Sequence, residues 1–322
     1  MKKLTISMAL VFLLTCAAPT HASAQDLLVP VGQVVGLELK EDAVTVASFD
    51  DTLGAGAKQA GLREGDILTS VNGAEIHQAS DVREALSRSD GAVDVVVQRG
   101  GKTKKLHLTP QATSEGPRLG VYLREGITGI GTVTWYDPDT GSFGTLGHGV
   151  SDPGGQMLEM TSGSAYRASV ASVKKGKAGE PGQLRGSLAE KETLGQLTAN
   201  TGRGVFGTTK TGWLGEAVPV ASPDEIKTGD AVIRSTVAGE TTREYSVEIL
   251  KIYPKSGESN RNLLLRVTDP KLLETTGGIV QGMSGSPILQ DGKLVGAVTH
   301  VLVNDPTTGY GIFIENMLDA AA

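Results

Sequence analysis

Gly282-Met283-Ser284-Gly285-Ser286-Pro287-Ile288-Leu289-Gln290-Asp291-Gly292-Lys293-Leu294 is the stretch that decides how this chain is read. Glycines on both sides of a serine permit a tight turn that exposes the side chain and points successive backbone N–H groups into one space. A serine hydroxyl is a weak nucleophile until a base takes its proton and backbone donors hold the resulting oxyanion. This turn can supply the donors. After it, Ile288-Leu289, the Gln290–Lys293 turn and the run Leu294–Thr299 read as a β-hairpin behind the serine. Without chemistry, the same residues are a Gly/Ser-rich β-turn. Ser284 is the candidate nucleophile, and Ser286, just before Pro287, is its rival.

The base must come from elsewhere in the chain. His148 sits in Gly144-Thr145-Leu146-Gly147-His148-Gly149-Val150-Ser151-Asp152, where small neighbours leave an imidazole accessible. A lone histidine is commonly structural; besides its accessibility, its place ahead of the serine in chain order, with a barrel's length between them, makes it a candidate here. His300, on the strand after the hairpin, competes, but its position suits substrate contact or core packing better. For a carboxylate that would orient the imidazolium there are two candidates. Asp269 in Val267-Thr268-Asp269-Pro270 also reads as a helix N-cap with Pro at the first helical position. Asp152 lies close to His148 in sequence. The residues alone leave these two even.

Composition narrows the chemistry. Lys2-Lys3, the apolar Leu4–Ala18 run and Ala22-Ser23-Ala24 read as an export signal over residues 1–24, short for a membrane span. The single cysteine, Cys16, falls inside it. The exported chain therefore has no disulfide, no thiol nucleophile and no cysteine-ligated zinc. His77, His107, His148 and His300 show no paired ligand spacing, so neither a metal nor a cofactor is expected. Without the leader, 28 basic residues face 36 acidic ones, a charge of −8. No long basic run appears, which argues against a nucleic-acid partner.

The chain divides into two units. Residues 27–111 carry strand-like runs at Val34–Leu39 and Val44–Phe49, an Asn72-Gly73 turn, and a short helix capped by Ser80-Asp81 whose inward face is Val82, Ala85 and Leu86. A last hairpin turns at Gly100-Gly101. The string Ala60-Gly61-Leu62-Arg63-Glu64-Gly65-Asp66-Ile67-Leu68, followed by Val71-Asn72-Gly73, resembles a PDZ domain of the bacterial protease-associated kind. Such domains bind extended peptides by strand addition and often capture a terminal carboxylate on backbone N–H groups. The resemblance assigns that role here to Val34, Val35, Gly36 and Leu37. Residues 112–117 read as a linker. From 118 to 322 short strands alternate with Gly, Pro, Asp and Asn clusters, a pattern for a sandwich or barrel, and Ile314–Ala322 reads as a terminal helix.

The order Gly-x-Ser-Gly-x-Pro, strand, turn, strand is similar to that of chymotrypsin-like peptidases, and on that likeness the N–H groups of Gly282 and Ser284 form the oxyanion hole. Gly129–Pro138, Leu146–Asp152, Gly277–Ile288 and Gly296–Gly311, behind a PDZ-like unit, closely resemble the stage IV sporulation protein B (SpoIVB) peptidase family. The resemblance implies a mainly β protein, a small α+β PDZ-like domain followed by a chymotrypsin-like double β-barrel. It also implies Ser284 as nucleophile, His148 as base and Asp269 as orienting acid.

The implied setting is export across the inner forespore membrane into the intermembrane space, with membrane association through the N-terminal segment. The implied substrates are the chain itself and a membrane-bound regulator of the intramembrane protease that activates pro-sigma-K. An HtrA-like quality-control protease is the alternative enzyme, although those place PDZ domains after the protease. An exported PDZ adaptor with an inactive barrel is the non-enzymatic one.

Overall fold

A computed structural model describes residues 27–152, 155–254 and 260–322. The export signal expected at 1–24 lies outside them. Two 16-residue strands, Val34–Phe49 and Val121–Tyr136, organise the rest. They pair antiparallel from Val34↔Thr132 to Lys40↔Gly126, shift register, and pair again from Thr45↔Arg124 to Phe49↔Val121. Residues 41–44 are the extra length on one side, a bulge that exchanges which side chains face inward. Before it Val35, Leu37 and Leu39 enter one core; after it Val44 and Val46 enter another. Gly126 faces the bulge, and a Cβ there would collide with the Leu39 carbonyl.

On one side of the bulge the paired strands close a six-stranded barrel. Val34–Phe49 pairs with Ser162–Lys174, which pairs with Gln183–Thr201, then Gly204–Thr208, then Ser142–Thr145, and so back to Val121–Tyr136. Leu37, Val133, Phe143, Leu197 and Val205 fill it. A second closed barrel runs Gly229–Ser235, Arg243–Ile252, Leu263–Val267, Asp305–Phe313, Lys293–Leu302, Pro287–Gln290. Trp135 and Phe206 from the first barrel meet Leu294, Ala297 and Ile312 from the second, and the helix Ile314–Ala321 closes this seam through Met317. The protein is mainly β, with the double barrel that the sequence implied.

On the other side of the bulge lies the PDZ unit. Its core runs from Val44 to Leu119, with Val121 and Leu123 packed against it. The helix Ala79–Ser87 buries Val82, Ala85 and Leu86 as expected, but its N-cap is Gln78. Asp81 reaches back to accept from the N–H groups of His77 and Gln78. Asp66 and Arg99 form a bidentate ion pair under the Arg63–Asp66 turn.

The expected boundaries need revision. Leu27–Pro30 and residues 34–40 belong to the barrels, because they pair with Val218–Pro219 and with the barrel strands. The expected linker at 112–117 is the small hairpin Gln111–Thr113/Gly116–Arg118. Leu37, 3% exposed, is thus a barrel core residue. Leu37→Ala should cost about 2–5 kcal/mol in denaturant unfolding; a change within about 0.5 kcal/mol, the range of ordinary surface sites, would place it outside the core.

Candidate active site

The turn at Ser284 is gripped from the first barrel. The N–H of Thr132 donates to the carbonyl of Ser284 at 3.1 Å, and Thr132 Oγ1 donates to the carbonyl of Gly282 at 2.9 Å. Thr134 Oγ1 donates to the carbonyl of Gly285 at 2.8 Å, and both threonines are fully buried. Gly282 and Gly285 lie at φ +98° and +94°, where side-chain-bearing residues are strained. Behind the turn, Gly285 N–H donates to Val298 and Val298 N–H to Ser286. From Gln281 to Ser286, the N–H groups of Gln281, Met283, Gly285 and Ser286 all have carbonyl partners. Those of Gly282 and Ser284 have none among the described residues. These are the two N–H groups that the likeness to chymotrypsin-like peptidases assigned to an oxyanion.

The two serines are now distinct. Ser286 is fully buried, its hydroxyl donating to Ser235 Oγ at 3.0 Å. Ser284 is half-buried and lines a cavity of about 450 Å³ between the barrels, together with His148 and His300. Its hydroxyl donates to the carbonyl of Thr299 at 2.8 Å. That carbonyl is available because the pairing of the flanking strands slips at Thr299, between Val298↔Gly311 and His300↔Tyr310.

His148 follows Leu146 and Gly147, both at positive φ, so the chain turns sharply to bring the ring to the cavity. Its Nδ1 lies 2.9 Å from the carbonyl of Gly149. A carbonyl only accepts, so Nδ1 carries the proton and Nε2 keeps its lone pair. Loss of solvent holds the His148 pKa below the usual histidine value of 6.5, the Gly149 hydrogen bond opposing this more weakly. The His300 ring stands 5.3 Å from that of His148, tilted 41°. Although His300 keeps an exposed edge, desolvation, and then the charges of His148 and Arg261, push its pKa down to about 4.

Three expectations from sequence are not met. Asp269 is not brought to His148. It caps the helix Pro270–Thr276, its Oδ1 accepting from Lys271 and Leu272 N–H at 2.9 Å each, and it is absent from the cavity wall. Asp152 accepts from Gln156 N–H and is likewise not bonded to His148. Val34, Val35, Gly36 and Leu37 cannot take a peptide by strand addition. Val35, Gly36 and Leu37 are paired on both edges, and Val34 is fully buried opposite Thr132.

One open edge of the PDZ unit is at Val121–Arg124, paired on one side only with Thr45–Phe49 among the described residues; Lys102–Leu108, paired only with Val93–Arg99, is another. The Val121–Arg124 edge begins after Arg118-Leu119-Gly120 and lies beside the helix Ala79–Ser87, whose first N–H bonds Glu125. Thr132 and Thr299 also escaped the sequence reading, since a hydroxyl or carbonyl on a strand gives no local signal of a distant contact.

The model for the SpoIVB peptidase S55 family matches residues 115–318, and a PDZ domain model matches residues 54–99. The mitochondrial serine protease HTRA2 of Drosophila virilis is 39% identical over 59 residues, 18% of this chain and 14% of that protein. The chain thus covers about a seventh of that relative's length. Among solved structures, the PDZ domain of an SdrC-like protein from Listeria monocytogenes aligns with 26% of this chain and 90% of its own, at 20% identity and TM-score 0.22. The Rv3671c protease in its inactive form aligns with 61% of this chain and 85% of its own, at 15% identity and TM-score 0.35.

The chain joins a PDZ domain to a domain of a serine peptidase family. The family match covers nearly two thirds of the chain, and the chain belongs to the SpoIVB peptidase S55 family.

Two substitutions separate the turn's backbone from its buried hydroxyl. Gly285→Ala would drive a Cβ into the Thr132 carbonyl at a left-handed φ, and should cost about 3 kcal/mol or more with loss of activity. Ser286→Ala should cost about 1 kcal/mol and leave turnover within a few-fold. Thermal unfolding and peptidase assays on both variants check this; a dead but stable Ser286→Ala would contradict it.

Proposed function

We propose that this chain is an endopeptidase that forms an acyl-enzyme at Ser284, with His148 as base and the N–H groups of Gly282 and Ser284 as the oxyanion site. The observation that carries this reading is the convergence of the half-buried serine, an imidazole with a free Nε2 and two unpartnered N–H groups on one cavity. For reaction, the Ser284 hydroxyl turns from the Thr299 carbonyl to His148 Nε2, which takes its proton as Oγ attacks the peptide carbonyl. His148 then gives the proton to the leaving amine, and water repeats the sequence on the ester. The Gly149 carbonyl does what a carboxylate does elsewhere, keeping the proton on Nδ1 and the ring in place. A carbonyl stabilises the imidazolium less than a carboxylate would, so the site trades rate for a simpler support.

Family membership supports the setting: export across the inner forespore membrane, self-cleavage, and cleavage of a membrane-bound regulator that restrains the intramembrane protease for pro-sigma-K. Among the described residues no helix is long and apolar enough to cross a membrane, and the proposed membrane association rests on the sequence of residues 1–24. The PDZ unit would hold a substrate or partner segment on the Val121–Arg124 edge.

Labelling by a fluorophosphonate, read by intact mass, tests the nucleophile. The reading predicts one adduct, absent in Ser284→Ala and retained in Ser286→Ala, with Ser284→Ala losing at least about 10⁴ in turnover. An adduct that persists in Ser284→Ala would contradict it. Asp269→Asn keeps a capping oxygen, and Asn caps as well as Asp; it should retain activity within about tenfold. A loss near 10⁴ would return Asp269 to the orienting role.

The pH profile tests the base. Because desolvation disfavours the charged imidazole, His148 stays unprotonated at pH values where an ordinary histidine is charged. Activity should therefore be lost as pH falls through a midpoint below 6.5, read as the acid limb of kcat/KM. A midpoint above 6.5 would mean that a negative group stabilises the imidazolium.

A further inference from the structure

Acyl transfer at Ser284 calls for one imidazole, yet two line the cavity. The ring centres of His148 and His300 are 5.3 Å apart and tilted 41°. His148 has Nδ1 on the Gly149 carbonyl and an Nε2 whose lone pair is free. The ring nitrogens of His300 have no hydrogen-bond partner among the described residues. Sequence spacing hides this pair, because His148 follows a strand of the first barrel and His300 lies on a strand of the second. Only the docking of the two barrels brings the rings together.

Two imidazoles at this separation suit one metal ion. Zinc holds imidazole nitrogens at about 2.0–2.1 Å in a tetrahedral shell, which sets the centres of two ligand rings about 5 Å apart. A ligating histidine also tends to donate its other N–H to a carboxylate or backbone carbonyl, fixing the tautomer and raising the basicity of the ligating nitrogen. His148 already does so through Gly149. His300 is exposed, so its ring can turn a nitrogen into the shared space.

The surroundings select the kind of cation. Among the described residues no carboxylate lines the cavity, so magnesium and calcium lack the oxygens they depend on, whereas imidazole suits zinc and its late first-row neighbours. Arg261, whose charge reaches His300, is held over the Tyr310 ring at 5.0 Å and does not line the cavity. No group of three or more His, Cys, Asp or Glu among the described residues could hold a metal, so water completes the shell of a two-histidine site.

We propose that His148 and His300 together bind zinc, and that the bound ion holds the peptidase silent. The ion takes the Nε2 lone pair of His148 as a dative bond, and no proton is displaced because Nδ1 keeps its own. That lone pair is the one that would accept the Ser284 proton, so the hydroxyl stays on the Thr299 carbonyl and unreactive. A competing ligand that removes the metal returns Nε2 to its role as base. Catalytic zinc centres have three protein ligands and this site has two, so the ion is exchangeable. The silencing, unlike the binding, rests on His148 being the base of a Ser284 peptidase.

The purified chain, free of any histidine tag, is titrated with zinc chloride in a calorimeter, with magnesium chloride as the control. His77→Ala and His107→Ala are built in to remove the exposed imidazoles that face Asp42, Glu75 and Asp94. The expected result is one zinc per chain and no response to magnesium. His148→Ala and His300→Ala should each weaken the site by at least about tenfold, since loss of even an outer-shell partner costs that much. Fluorophosphonate labelling of Ser284 is then timed with and without zinc, and the ratio is taken within each variant. Zinc should slow labelling by at least about tenfold, EDTA should restore it, and His300→Ala should bring the ratio close to one. No zinc uptake at submillimolar concentration, or uptake that survives both histidine substitutions, would overturn the metal site. Uptake through both histidines with labelling unslowed, or slowed equally in His300→Ala, would overturn the silencing. Uptake through both histidines beside labelling that fails even without zinc would sustain the metal site and overturn the peptidase reading alone.

Discussion

The grip of Thr132 and Thr134 on the Ser284 turn is the constraint on which the rest depends. Two hydroxyls and one backbone N–H from the first barrel satisfy the carbonyls of Gly282, Ser284 and Gly285 on the second. Those carbonyls and the neighbouring N–H groups are committed, while the N–H groups of Gly282 and Ser284, residues that line the cavity, have no partner among the described residues. Buried polar groups left without partners are costly, so a turn so fully satisfied is held firmly. Pre-organisation of this kind lets backbone dipoles stabilise developing charge without rearrangement at the moment of reaction.

The same strand ties the chemistry to the PDZ unit. Val121–Tyr136 presents an open edge beside the helix Ala79–Ser87 at one end and Thr132 and Thr134 at the other. No linker intervenes between the two functions, because the paired strands Val34–Phe49 and Val121–Tyr136 run through both units. A peptide added at Val121–Arg124 would lie on the strand that holds the nucleophile turn, with only the bulge opposite Gly126 between them. Arg124, at the end of that edge, shares a cavity with Glu41 and Asp152, and Asp152 lies on the segment that carries His148, between Ser142–Thr145 and Ser162–Lys174.

How much of this was legible in the sequence follows from the range of each interaction. The Gly-flanked turn at Ser284, the hairpin behind it and the inward face of the Ala79–Ser87 helix depend on neighbours a few residues away, and all are found where the local pattern puts them. Asp269 also carried a readable local signal, the Asp-Pro helix cap, which the family likeness overrode and the structure restores. The pairing of residues 34–40 was not legible. Lys40-Glu41-Asp42 interrupts the apolar alternation like a turn between two strands of one domain, whereas the chain continues through a bulge and changes cores. A strand's partners lie far along the chain, and nothing in Val34-Val35-Gly36-Leu37 says that both edges will be occupied. For the same reason Thr132 and Thr299 looked like ordinary strand residues.

The central claim is that Ser284, His148 and the two open N–H groups act on one carbonyl. The structure of the protein after reaction with a fluorophosphonate tests it most directly. The account predicts phosphorus on Ser284 Oγ, a phosphoryl oxygen within hydrogen-bond distance of the N–H groups of Gly282 and Ser284, and His148 Nε2 turned to the adduct while Nδ1 stays on the Gly149 carbonyl. An adduct whose oxygen avoids those N–H groups, or a His148 ring that remains apart while another base meets the serine, would contradict it.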